Sequence, residues 1–305
     1  MKILFILIAL ICFVSCKGKD DKPDTPNKPE SKFMTLKQIE DKLDEYARME
    51  ASEDFELSEA DFIRIDSLID DENLLDGVQE LKPDPEQDQK NFYMTPVSVD
   101  YRQYDEAITK QWNGTCTAHA TISMMETLSN LKYSRSKKLS ERDLWSKPEV
   151  YKKYSAKGAV QGALNHFIVD DDIWPHKKVT PKYDNHERFA NTRMDHAWYL
   201  GSNYSRLLFR MAQEEVGKVA MRVPYGMIKC KSVIDPASLP YEGAGHDIAI
   251  SGVLVSEKYG HIAIIKNSWG EGCGDHGYQY LPLSICSGAN YYCYFWTVDK
   301  LEFKN

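Results

Sequence analysis

Cys116, His246 and Asn267 are the residues of this chain whose types and spacing could act together in covalent chemistry. Cys116 stands in ITKQWNGTCTAHATISMM, Ile108 to Met125, where a short polar loop runs into a predicted helix. Thr115 or Asn113 would cap that helix and place the thiol in its first turn. The positive end of the helix dipole there favours the thiolate, which is the reactive form. One cysteine alone is weak evidence, because buried cysteines are common packing residues. His246 lies 130 residues downstream, at the start of HDIAI, and Asn267 lies 151 downstream, after HIAIIK. A thiol with a distant imidazole suggests a nucleophile and its proton shuttle.

Both downstream stretches read as buried strands rich in β-branched residues. With them the chain resembles the papain-like cysteine peptidases, in which a Gln precedes a helix-borne Cys, a His opens a strand, and Asn-Ser-Trp-Gly follows. Asn267-Ser268-Trp269-Gly270 is that last motif. Val99-Asp100-Tyr101-Arg102 resembles the family's mature N-terminus, and Leu139-Ser140-Glu141-Arg142 its Leu-Ser-Glu-Gln motif. Gly274-Asp275-His276-Gly277-Tyr278 resembles the segment after Asn-Ser-Trp-Gly, and Ile173-Trp174-Pro175 a turn before the second half. The resemblance runs from about Thr95 to Val298.

The resemblance implies a peptidase working through a thioester acyl-enzyme. Cys116 would be the nucleophile, His246 its proton partner, and Asn267 the residue that orients the imidazole. Trp269 would shield that hydrogen bond, while Gln111 and the Cys116 N–H would hold the oxyanion. His119, three residues after Cys116, is a rival base; it reads better as a core histidine, because helical side chains lean back along their own surface. Two positions depart from the family. Gln111 is five residues before Cys116 rather than six, with Lys110 at the sixth, which shifts the donor by up to about 3.5 Å. Thr117 replaces the usual aromatic. These departures motivate an alternative, a catalytically impaired papain-like surface protein that binds peptides or proteins. A transferase or amidase using the same Cys-His pair is a third reading.

Positioning such a site needs a helix for the thiol and strands for its partners. Ala120, Met124 and Leu128 recur at four-residue spacing, widened by Ala118, Ile122 and Met125 into a stripe to be buried. Residues 140–170 look helical, Leu207 to Glu215 reads as a helix, and Val219 to Val223 as the first strand of the second half. Helices first and strands later predict an α+β, two-lobed papain-like fold, a helical lobe and a β-rich lobe with the cleft between them.

Upstream, residues 1–16 (MKILFILIALICFVSC) read as a signal peptide ending in a lipoprotein-type cysteine, Cys16, whose lipidation would anchor the chain to the bacterial outer membrane or cell surface. An ordinary cleaved signal, giving a periplasmic or secreted protein, is the alternative. Residues 17–34 form a solvated tether. Lys19-Asp20-Asp21 within it resembles a surface-export signal. Residues 35–94 are an acidic helical pro-like segment, placed where the family carries an inhibitory pro-region; a fixed subdomain or a spacer from the lipid anchor is the alternative. Thr35 to Lys90 holds 19 acidic and 6 basic residues, whereas 91–305 holds 23 and 26. Leu36, Ile39, Leu43 and Tyr46 have helical spacing; so do Phe62, Ile65, Leu68 and Ile69, with Ser58 as a cap. Residues 95–305 are the catalytic domain.

Beyond Cys12, Cys16 and Cys116, the cysteines Cys230, Cys273, Cys286 and Cys293 allow two disulfides in three pairings. Cys230–Cys273 with Cys286–Cys293 is the favoured pairing, and four free thiols the alternative. His166, His176, His186 and His196 match no metal spacing and read as surface residues, and no metal or other cofactor is expected. The formal charge of −8 and the lack of a basic stripe argue against nucleic acid as a partner. The expected partners are peptide or protein substrates and a membrane, for a monomer.

Overall fold

The structure is a computed structural model that describes residues 32–47, 63–64, 78–80, 98–151, 155–288 and 290–304. Cys16, the signal segment and Ser58 lie outside the described residues.

Helix α1 (Leu36–Tyr46) starts at Thr35, whose hydroxyl accepts from the Gln38 N–H in a reciprocal capping box. Short strands β1 (Ile63–Arg64), β2 (Val78–Glu80) and β3 (Val99–Asp100) follow. The central helix α2 spans Cys116–Tyr133. Three shorter helices come next: α3 (Glu141–Ser146), α4 (Pro148–Tyr151) and α5 (Ala156–Asn165). Thereafter the chain is mostly sheet, with β4 (Thr192–Gly201), β5 (Val216–Pro224), β6 (Pro240–Ser256), β7 (Gly260–Lys266), β8 (Tyr278–Pro282) and β9 (Tyr294–Phe303). Helices α6 (Tyr204–Met211) and α7 (Tyr225–Ile228) interrupt it. This is the expected α+β arrangement.

The sheet runs β2-β4-β9-β5-β6-β7-β8. Strand β6 organises it: β5 and β3 pair along one edge, β1 and β7 along the other. Gly252 lets β3 approach, since a Cβ there would lie 2.4 Å from the Val99 carbonyl oxygen. Strand β7 shows why its sequence is apolar on both faces. Ala263 and Ile265 join the main core with α2, while Ile262 and Ile264 join a second cluster with Ile39 and Leu43 of α1. The acidic segment thus begins with a helix docked on the outer face of the sheet. Beside that apolar seam, Glu40 accepts from the Ser256 hydroxyl at 2.7 Å and Asp44 pairs with Lys258.

Several expectations need correction. Ile63 and Arg64 pair as a strand with Gly245 and Ala244, where a free edge of β6 takes their backbone, so these two are not helical; Phe62, Ile65, Leu68 and Ile69 lie outside the described residues. The first long strand of the second half is β4, not the segment at Val219. Its register shifts near His196 break the alternation by which a strand is recognised. Helix α6 ends at Met211, and Val216 already belongs to β5. Residues 166–170 are not helical. Helix α2 is buried on most sides rather than along one stripe, and its polar Glu126 is satisfied by Lys138 and the Leu139 N–H. Both disulfides form as favoured, Cys230–Cys273 and Cys286–Cys293.

Candidate active site

Cys116 is the first residue of α2, in a loop that turns at Asn113, where φ is +26°. Asparagine tolerates that left-handed conformation better than most residues. Thr115 is the N-cap by position, yet its hydroxyl donates to the Trp112 carbonyl at 2.6 Å instead of capping the helix. The first-turn N–H groups therefore keep no side-chain cap. Cys116 is fully buried, and its sulfur lies 4.0 Å from the Gly114 carbonyl oxygen.

His246 sits on β6, fully buried. Its Nε2 is 3.0 Å from Asn267 Oδ1, which also accepts from the Ser268 N–H at 2.7 Å. Asn267 Nδ2 in turn donates to Gln279 Oε1 at 2.6 Å, and Gln279 Nε2 donates to the carbonyls of Lys231 and Met227. This chain fixes the carboxamide with its oxygen towards the ring, so Nε2 carries the proton and Nδ1 is left as the basic nitrogen. Nδ1 has no hydrogen-bond partner among the described residues. The Trp269 indole stacks on the imidazole, with centroids 4.6 Å apart and planes 18° from parallel. Gln279 was not singled out in the sequence, because its role depends on a neighbour twelve residues away across two strands.

Gln111 is brought to the same motif. Its N–H donates to the Ser268 carbonyl at 2.7 Å and its Oε1 accepts from the Ser268 hydroxyl, which leaves the amide NH₂ as the donor end. Thr117 is fully buried, and its hydroxyl has no partner among the described residues. His119 is buried too, with Nδ1 3.0 Å from the Thr109 hydroxyl and 3.5 Å from Glu141. Its ring edge meets Trp112. It is a packed core residue held by its own partners.

Electrostatically the site is at rest. Burial, with the Asp247 carboxylate next in weight, pushes the Cys116 thiol up to about 12. Burial brings His246 down to about 4, against the opposing hydrogen bond of Asn267. Both groups are therefore neutral at pH 7. Under them lies a buried ion pair, Lys218 with Asp247, the residue after His246.

The four histidines expected at the surface are partly covered, each beside a carboxylate: His166 with Glu149, His176 with Asp171, His186 with Asp143, His196 with Asp299.

The profile of the family described as papain family cysteine protease matches residues 95–294. Among solved structures, xylellain, a cysteine protease from Xylella fastidiosa, superposes with a TM-score of 0.63 at 14% identity, covering 81% of this chain and 99% of that one. Procathepsin L2 proteinase from Tenebrio molitor larval midgut gives 0.58 at 18% identity, covering 77% and 78%. Bromelain from Ananas comosus in complex with the E64 inhibitor gives 0.54 at 19% identity, covering 66% and 97%. Among curated protein sequences none matches.

Proposed function

Because the chain belongs to the papain family of cysteine proteases, we propose that it is an exported peptidase using Cys116, His246 and Asn267. The observation that carries this is the His246–Asn267 contact at 3.0 Å under the stacked Trp269, which leaves Nδ1 as the basic nitrogen. His246 Nδ1 takes the thiol proton, and the sulfur attacks the scissile carbonyl carbon. The same proton then goes to the leaving amine as the C–N bond breaks. Water, deprotonated by Nδ1, finally displaces the sulfur from the thioester. Asn267 holds the ring throughout, as a carboxylate does in serine enzymes. The Cys116 N–H and the Gln111 NH₂ end stabilise the oxyanion.

The structure is that of the latent form in this reading. Ile63 and Arg64 add to the edge of β6 at Gly245 and Ala244, immediately before His246. A peptide substrate would use backbone hydrogen bonds of the same kind, by strand addition. Occupancy of that edge excludes substrate, and the buried thiol stays protonated. Residues 35–94 thus act as an inhibitory segment, joined through residues 17–34 to a lipid-modified Cys16. The two disulfides are consistent with an exported protein.

An epoxide thiol inhibitor tests the catalytic reading. One label per chain on Cys116, with turnover of a mixed peptide library after the segment is removed, is the expected result. Labelling without turnover would favour a binding protein on the same scaffold.

A further inference from the structure

Apart from Cys116, His246 and Asn267, the residues Glu141, Asp171 and His176 offer one donor atom each, all within 4.8 Å of one another. Glu141 begins α3, and the other two lie in the turns that follow Asp170. Two observations separate this group from an ordinary acidic patch. Glu141 is only 1% exposed, yet its Oε2 has no hydrogen-bond partner among the described residues. His176 Nδ1 likewise makes no hydrogen bond among the described residues, with Asp171 Oδ1 at 3.6 Å. An unsatisfied buried carboxylate oxygen costs about 1–3 kcal/mol or more, so such an atom calls for a ligand.

The nearby cations are already engaged. Lys138 bridges Glu126 and Glu141 Oε1, each within 2.9 Å, and Arg142 donates to the His176 carbonyl while its guanidinium lies over the Trp112 ring.

We propose that Glu141, Asp171 and His176 bind a divalent transition-metal ion of the zinc class. Two carboxylates and one imidazole, without a thiolate, suit such a borderline cation with a water completing its shell. Zinc holds N and O ligands at about 2.0–2.2 Å, which puts donors roughly 3.4 Å apart. The widest separation, up to 4.8 Å, must close by up to about 1.4 Å. Glu141 is fixed by Lys138 and the Thr109 hydroxyl, so the closing falls to the two loop residues. Those two already move as a unit, because the His176 N–H donates to Asp171 Oδ1 at 2.8 Å. Their side chains are 17% and 24% exposed, which gives an ion its path in. Bound there, the ion would clamp the loop to α3 and, through the Glu141–His119 contact, to the helix that carries Cys116.

The test uses the full chain carrying Cys116→Ala, so that the thiol cannot compete for metal. After stripping with a chelator it is titrated with zinc chloride in a calorimeter, and with cobalt chloride in a spectrophotometer. The expected result is one site per chain, with cobalt d–d absorption and no sulfur charge-transfer band. His176→Asn and Asp171→Asn should each weaken it by at least about tenfold, with the metal-free melting temperature unchanged. His186→Asn, whose ring meets Asp143 and Trp174 and is not part of the group, should leave binding intact. Absence of saturable binding, or binding that His176→Asn and Asp171→Asn do not alter, overturns the proposal. An equal loss in His186→Asn overturns it as well. Glu141→Gln is avoided because that residue also holds Lys138.

Discussion

Lys218 donates to Asp247, the residue that follows His246, at 2.6 Å with both side chains fully buried. Lys218 Nζ also donates to the Thr121 hydroxyl on α2 and to the Ala156 carbonyl at the start of α5. One ammonium therefore ties the helix of Cys116 to the strand of His246. Asp247→Ala leaves that ammonium buried and unpaired, so a loss of about 3–5 kcal/mol is expected in urea unfolding. The double variant Lys218→Met/Asp247→Leu should recover most of the stability, while activity of the processed enzyme stays low. Equal stability of the single and double variants would show that the pair is not coupled.

Cys116 reactivity should depend on pH in a way set by its cover. Only the thiolate is alkylated, and with the thiol pushed up to about 12 the thiolate is scarce at pH 7. In the full chain the alkylation rate should keep rising through pH 9 and beyond. Removing residues 35–94 should move the inflection down by several pH units, as solvent and the His246 imidazolium stabilise the thiolate. Identical pH profiles for the two forms would defeat the latency reading.

The contact of β1 with β6 can be tested without removing the segment. Ile63→Pro/Arg64→Pro takes away both backbone donors of the short strand. Basal peptidase activity of the full chain should rise several-fold. No rise would mean that this pairing does not restrain the site.

Gln279→Leu should lower kcat by about tenfold with KM little changed, since Asn267 loses the acceptor that fixes its carboxamide. It also leaves Asn267 Nδ2 unsatisfied, at about 1–3 kcal/mol of stability. A change confined to KM would place Gln279 in substrate binding instead.

His246→Ala should abolish turnover, whereas His119→Ala should mainly cost stability through the lost Thr109 and Glu141 contacts. Single-turnover kinetics and thermal melts of both variants decide it, and the reverse ranking would move the base to His119.

What the sequence could disclose depended on how local each signal was. The helix of Cys116, the apolar runs of β6 and β7, and the spacing of Leu36, Ile39, Leu43 and Tyr46 repeat over a few residues, and each became the expected element. The strand at Thr192 was missed because register shifts near His196 break its period. Ile63 and Arg64 were drawn into a helix because the competing partner, the edge at Ala244 and Gly245, lies some 180 residues away. The pairing of Lys218 with Asp247 and the carboxylates beside His186 and His196 are likewise matters of long-range pairing. Residue type and spacing alone do not encode them.

The two faces of β7 bear on what a cut in the chain after α1 would produce. Ile262, Ile264, Val233 and Tyr280 are covered by Ile39 and Leu43, so discarding α1 would bare a contiguous apolar strip. A nick anywhere between Ala47 and Ser98 severs the peptide link but not that seam. The product is then a two-chain particle, in which a helix of eleven residues persists as a non-covalent light chain. If Cys16 carries the lipid, that light chain is also what keeps the cut enzyme on the membrane.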